Sequence, residues 1–209
     1  MFGRTRGAIA GLTLVLALAG CSNGGGSDSG GTSGGGGSKG GARPVDSPLN
    51  PSQVAQAIPG KIAVPQGWHG GEPLVAQGGE AQEQCQLTAR WSCAGVTAQA
   101  SSEYSHGADV DAGFTVIAYD SVDNAKVGLK TLVADNHDEG GLKPLTVEAG
   151  ADESDAYSKE EFGVVAMRVG TVVAMVVGQS LPKDHDLTSF AKFQVERITT
   201  AATGKNPDA

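Results

Sequence analysis

The sequence lacks His-Glu-x-x-His, the short pattern that sets up a metal on one face of a helix. Its four histidines, His69, His106, His137 and His185, are scattered, and none has a metal-spaced partner. There are only three cysteines, Cys21, Cys85 and Cys93, with no Cys-x-x-Cys spacing, which excludes a thioredoxin-like redox pair and a zinc set. No cofactor motif is present either. Basic residues are few, 15 against 23 acidic, for a net charge of −8. A surface of that sign avoids nucleic acid and anionic headgroups. Long apolar runs are also lacking: the stretch Ala8–Ala19 is well short of the roughly 20 residues that cross a bilayer.

What stands at the N-terminus is an ordered signal. Arg4 and Arg6 precede that apolar stretch, and Leu18-Ala19-Gly20-Cys21 closes it with small residues before a cysteine, which is the order of a secretory leader. The combination resembles the bacterial lipoprotein class. That resemblance implies a signal peptide over residues 1–20, acylation of the Cys21 sulfur, and attachment of the mature chain to the outer face of the cytoplasmic membrane through an N-terminal lipid.

After Cys21 the chain is nearly all Gly and Ser to Gly41, a composition that cannot bury enough apolar area to offset the entropy of ordering it. Residues 21–47 therefore read as the lipidated cysteine and a disordered tether, with a root-mean-square span of roughly 25–30 Å. No nucleotide-cradling Gly-rich loop is present, because no Lys-Ser or Lys-Thr pair follows. Residues 48–203 read as a single domain, and residues 204–209 as a disordered tail. In an exported chain the two remaining cysteines, Cys85 and Cys93, are expected to form a disulfide; its short loop is worth roughly 2–3 kcal/mol.

Along the domain, Asn50-Pro51-Ser52-Gln53 starts a helix with Asn50 as its cap, and Pro59-Gly60 ends it. Lys61–Trp68 reads as extended, Gly70–Gly79 as a loop and Glu80–Arg90 as a short helix. Val96–Tyr104 and Ala112–Tyr119 alternate as strands. Asp120-Ser121 opens a helix from Val122 to about Asn136, with Ala125, Leu129, Leu132 and Val133 on its buried stripe. Leu145–Ala149 reads as a short strand. Gly163–Val169 and Thr171–Val177, split by Gly170, predict a tight antiparallel hairpin at the heart of a sheet. A last helix runs from Asp184–Asp186 to about Ala202. The fold class this predicts is α+β, a largely antiparallel sheet of five or six strands with helices packed mainly on one face.

Candidate chemistry is sparse. Asp135-Asn136-His137-Asp138-Glu139-Gly140 has His where a calcium loop needs an acidic ligand and no closing Glu, so it reads as a polar helix end. Asp152-Glu153-Ser154-Asp155 reads as a solvated turn, with Glu160-Glu161 across it. Trp68, upstream of the cysteine pair, and Trp91, between its two cysteines, are the candidate ligand-binding residues, with core packing as the alternative. Tyr104, Tyr119 and Tyr157 are weaker candidates for the same face.

Three stretches, Phe114–Ala125, Ala151–Tyr157 and Val164–Val173, together resemble actinobacterial cell-surface lipoproteins, and in the same order are similar to the extracellular sensor domain of PknH-type serine/threonine kinases. The resemblance covers about Cys93–Leu181 and implies an exported α+β domain with a cleft for a ligand. It departs from the kinase sensor in having one disulfide rather than two and no kinase segment, and it transfers no ligand residue. Two functions follow: a non-enzymatic binding or sensor-like domain for a small molecule, envelope component or protein, or an envelope interaction lipoprotein with no small-molecule pocket. An enzyme with an unrecognised site is the third.

Overall fold

The computed structural model describes residues 43–63, 65–88, 91–137, 141–182 and 186–209, all within the compact unit Gly40–Ala209. The leader, Cys21, most of the tether, Arg90, Asp138-Glu139 and His185 lie outside the described residues.

The elements follow in chain order as α1 (Pro51–Ala57), β1 (His69–Gly70), β2 (Leu74–Gln77), α2 (Gly79–Thr88), β3 (Val96–Ser105), β4 (Asp111–Tyr119), α3 (Val122–His137), β5 (Lys143–Pro144), β6 (Glu153–Lys159), β7 (Phe162–Val169), β8 (Val172–Gln179) and α4 (Leu187–Ala202). The fold is α+β, and its one sheet has the order β1-β3-β4-β8-β7-β6-β5, with β2 also paired to β3 and every pairing antiparallel. Eight strands stand where the patterning predicts five or six. The extra ones are the kind that periodicity misses: β1 and β5 have two residues each, and β2 lies inside a stretch that reads as a loop.

Alternation within the strands produces two cores. On β4, Phe114, Val116 and Ala118 face one side with Val165, Met167, Val172, Ala174 and Val176, and α1 and α4 cover them through Val54, Ala57, Phe190, Ala191, Val195 and Ile198. Ile117 and Tyr119 face the other side with Ala166 and Val173, under Ala81 and Cys85 of α2 and Ala125, Leu129 and Leu132 of α3. Helices therefore pack on both faces, not mainly on one. Central strands β7 and β8 are apolar at consecutive positions because both of their faces are covered, a pattern that by itself does not say how many helices lie on each side.

Caps mark the helix starts. In α1 the Asn50 Oδ1 accepts from the Gln53 amide at 3.0 Å and the Gln53 Oε1 accepts from the Asn50 amide at 2.9 Å. Asp186 caps α4 by accepting from the Ser189 amide at 2.8 Å, and this holds its carboxyl below the usual range.

Both ends of the domain extend further than composition predicts. Residues 43–47, assigned above to the tether, form a 3-10 turn over Pro44–Asp46 whose Val45 is buried in the α1–α4 core. The Val45 carbonyl accepts from the Thr171 amide at 2.8 Å, and the Thr171 hydroxyl donates to the Ser47 carbonyl at 3.1 Å. Residues 204–209, assigned above to a tail, return to the body: Asp208 pairs with Arg197, whose side chain is only 4% exposed and also donates to the Gln56 and Ile58 carbonyls at 2.9 and 3.1 Å. A Gly-rich or short polar segment carries too little apolar surface to advertise docking. In both cases a single Arg and a few carbonyls supply it.

Candidate functional site

The acidic stretch is not a solvated turn. Glu153–Lys159 is a strand paired with β7, and Asp152 lies at its start between two arginines. Arg43 clasps both Asp152 oxygens at 2.6 and 3.0 Å. Arg168, 7% exposed, donates to Asp152 at 3.1 Å, to Glu153 at 2.9 Å and to the Gly170 carbonyl at 2.9 Å, while the Gly170 amide donates to Asp152 at 2.8 Å. The Arg43 hydrogen bonds, with help from the Gly170 amide and the Arg168 charge, hold the Asp152 carboxyl at about 2 against partial desolvation. This cluster is a fastener. It sews the segment that enters the domain onto the β7–β8 turn, and Asp152 and Arg168 at its centre spend their hydrogen bonds within the protein.

The predicted ligand-binding tryptophans are not brought together. Trp68 is buried in the α1–α4 core, edge-on to Phe190 at 5.2 Å and tilted against His106 at 5.5 Å. Trp91 packs against the opposite core beside Cys93. The Cys85–Cys93 disulfide forms as expected, with the two Cα atoms 5.9 Å apart, and it ties α2 to the segment entering β3. Tyr119 lies beneath that segment, donates to the Ser92 carbonyl at 3.2 Å and is pushed up to about 12 by burial. Tyr104 belongs to the first core, with its hydroxyl on the Pro59 carbonyl. Among the described residues, no three His, Cys, Asp or Glu side chains converge as metal ligands, and no helix is long and apolar enough to cross a membrane.

The concave feature lies elsewhere. On the α2–α3 face the strands present cross-strand rows, read from the register. Ser105, Asp111, Gln179 and Phe162 form the outermost row, Glu103, Gly113, Val177 and Val164 the next, and Ser101, Thr115, Met175 and Ala166 the third. α3 roofs the Ile117–Val173 end and stops at His137, whose ring nitrogen Nε2 lies 2.8 Å from the Asp155 carboxylate. α2 lies over β2 and β3. On the β3, β4 and β8 side these rows are left open, while Val164 and Ala166 of β7 are buried, leaving a trough of about 1000 Å³ floored by Met175 and Val177, with Leu74 and Phe162 at its sides. Neither tryptophan lines it. Its polar wall includes His69, Glu72, Glu103, Asp111 and Gln179 and, among the described residues, no Lys or Arg.

The sequence reading missed this trough because its residues belong to six strands and to no motif. One signal was present: the outward positions Gln99, Ser101 and Glu103 of β3 are polar, whereas Val173, Met175 and Val177 on the same face of β8 are apolar. A sheet face that changes character across its width is only partly covered.

The trough and the fastener lie at opposite ends of the sheet. Val172 follows Gly170 and the strap at one end of β8, and Gln179 reaches the trough at the other, a separation of roughly 24 Å along the strand.

No protein-family model matches the chain, and no curated protein is similar to it in sequence. Among solved structures, the extracellular domain of PknH from Mycobacterium tuberculosis is similar, with 12% identity and a TM-score of 0.46 over 78% of this chain and 100% of that domain. At that identity no residue role is carried across.

Proposed function

We propose that the chain is a lipid-anchored extracytoplasmic lipoprotein whose domain is a non-enzymatic, ligand-binding or sensor-like module. The observation that carries the binding reading is the uncovered trough, a concavity at the upper end of the size range of small-molecule sites, with an apolar floor and a few polar groups at its wall. Anchoring rests on the Leu18-Ala19-Gly20-Cys21 signal.

Anchoring is tested by feeding cells an alkynyl fatty acid. Label on the wild type that disappears in Cys21→Ser supports it; label that persists refutes it. Binding is tested by native mass spectrometry of the intact protein from its own host. A non-protein mass lost on denaturation supports the module, whereas a bare mass shifts the weight to the second reading, an envelope interaction protein. That alternative draws on exposed Leu74, Val75 and Leu87 around the β2–α2 edge, 70%, 41% and 79% accessible, which a protein partner would cover.

A further inference from the structure

We infer that the trough selects a small amphipathic cation, an apolar body carrying an ammonium or guanidinium group; the inference rests on the binding reading above and names its ligand class. Three carboxylates line the trough, Glu72, Glu103 and Asp111, and all three are exposed. Among the described residues no lysine or arginine lines it and no salt bridge engages any of the three. Other exposed acids among the described residues, such as Glu80, Glu83 and Glu196, also lack an ion pair; Glu72, Glu103 and Asp111 differ in lining one concavity with an apolar floor. Inside the trough that negative charge stands beside apolar surface, so one incoming group can meet both.

The geometry adds a seat. Glu103 stands directly across the strand pair from Gly113, and Val177 stands on the other side of that glycine. A Cβ placed on Gly113 would meet only the Val177 Cβ at 3.8 Å, so the backbone there forms the bottom of a notch between a carboxylate and an apolar wall. Asp111 is the diagonal neighbour of Glu103 on the adjacent strand, within roughly 7–8 Å, close enough for one cationic head to face both. Met175, Val177 and Phe162 lie beyond the notch as a continuous apolar surface for the rest of the ligand. Anionic and neutral polar ligands gain nothing from that arrangement, and a bare inorganic cation leaves the apolar floor wet.

The test uses two fluorescent probes that share an apolar body and differ in charge, dansylcadaverine (ammonium) and dansylglycine (carboxylate), titrated into the intact protein. Saturable binding is expected for dansylcadaverine, at least about tenfold tighter than for dansylglycine and weakened by salt. The double variant Glu103→Gln, Asp111→Asn, at exposed positions, is expected to remove most of that preference, and Gly113→Leu to fill the notch and abolish binding. Equal affinity for both probes, no saturable binding of either, or a preference unchanged in the double variant overturns the inference. Equal binding that Gly113→Leu abolishes keeps the trough as a binding site and removes only the charge selectivity. Probe binding that Gly113→Leu leaves intact removes the trough from both readings.

Discussion

A Cβ on Gly170 would fall 1.8 Å from the Val45 carbonyl oxygen, so the turn of the central hairpin and the strap that enters the domain are in direct backbone contact. Gly170 also has φ +60°, a conformation that side chains disfavour. Gly170→Ala therefore has to lift Val45 out of the core and strain the turn, and we expect a loss of about 2–4 kcal/mol in urea unfolding. Deleting residues up to Ser47 should produce a loss of similar size. A loss under about 0.5 kcal/mol for both would mean that the strap contributes nothing to the fold.

Asp152 makes the same junction sensitive to acid. The Arg43 hydrogen bonds hold its folded carboxyl at about 2, well below the usual carboxylate range. The native state thus holds the charged form more tightly than the unfolded chain does, and the contribution is fully present above about pH 4 and lost as pH falls through about 2. With solvent screening at a partly exposed site, we expect it to be worth about 1–2 kcal/mol. In acid titrations followed by circular dichroism, Asp152→Asn should be less stable than the wild type at neutral pH and should converge with it near pH 2. Parallel curves down to that pH would rule out this role.

Where burial alternates along a strand or recurs along a helix, the chain was legible. Ala112–Tyr119 and the helix that follows, the Gly170 hairpin and the last helix all stand where their patterns put them, and so does the disulfide. The acidic stretch was misread because charge at Asp152 and Glu153 looks like solvent exposure until Arg43, more than a hundred residues away, and the buried Arg168 are placed beside them. The trough was illegible for a related reason. Glu103, Gly113, Val177 and Phe162 become neighbours only through the β3–β4–β8–β7 register, which no local pattern specifies. Trp68 and Trp91 drew attention as rare aromatics, but they serve separate cores.

The disulfide holds a helix that has little else to hold it. Within α2, Ala81 and Cys85 are the core residues, and the outward Leu87 is 79% exposed. Reduction, or the pair Cys85→Ala, Cys93→Ala, is expected to cost about 2–3 kcal/mol. Amide hydrogen exchange should show the change concentrated in Gly79–Thr88, with β7 and β8 still protected. Uniform loss of protection across the sheet would show that the bridge supports the whole fold and not this helix.

Arg197 joins three parts of the chain that are remote in sequence. Its guanidinium bonds the carbonyls of Gln56 and Ile58 at the end of α1, pairs with Asp208 at the C-terminus, and lies 5.5 Å over the ring of Phe193 on its own helix. The hydrogen bond from Arg197 holds the Asp208 carboxyl below its usual range. Removing residues 204–209 leaves a buried cation with two carbonyls and no counter-charge, which should destabilise the domain by about 2–3 kcal/mol. Arg197→Met alone strands Asp208 and two carbonyls and should cost a similar amount. If Arg197 and the last six residues act only through each other and α1, Arg197→Met combined with the deletion should lose less than the sum of the two. A double-mutant cycle in urea measures that difference, and strict additivity would show that the terminal segment and Arg197 contribute independently.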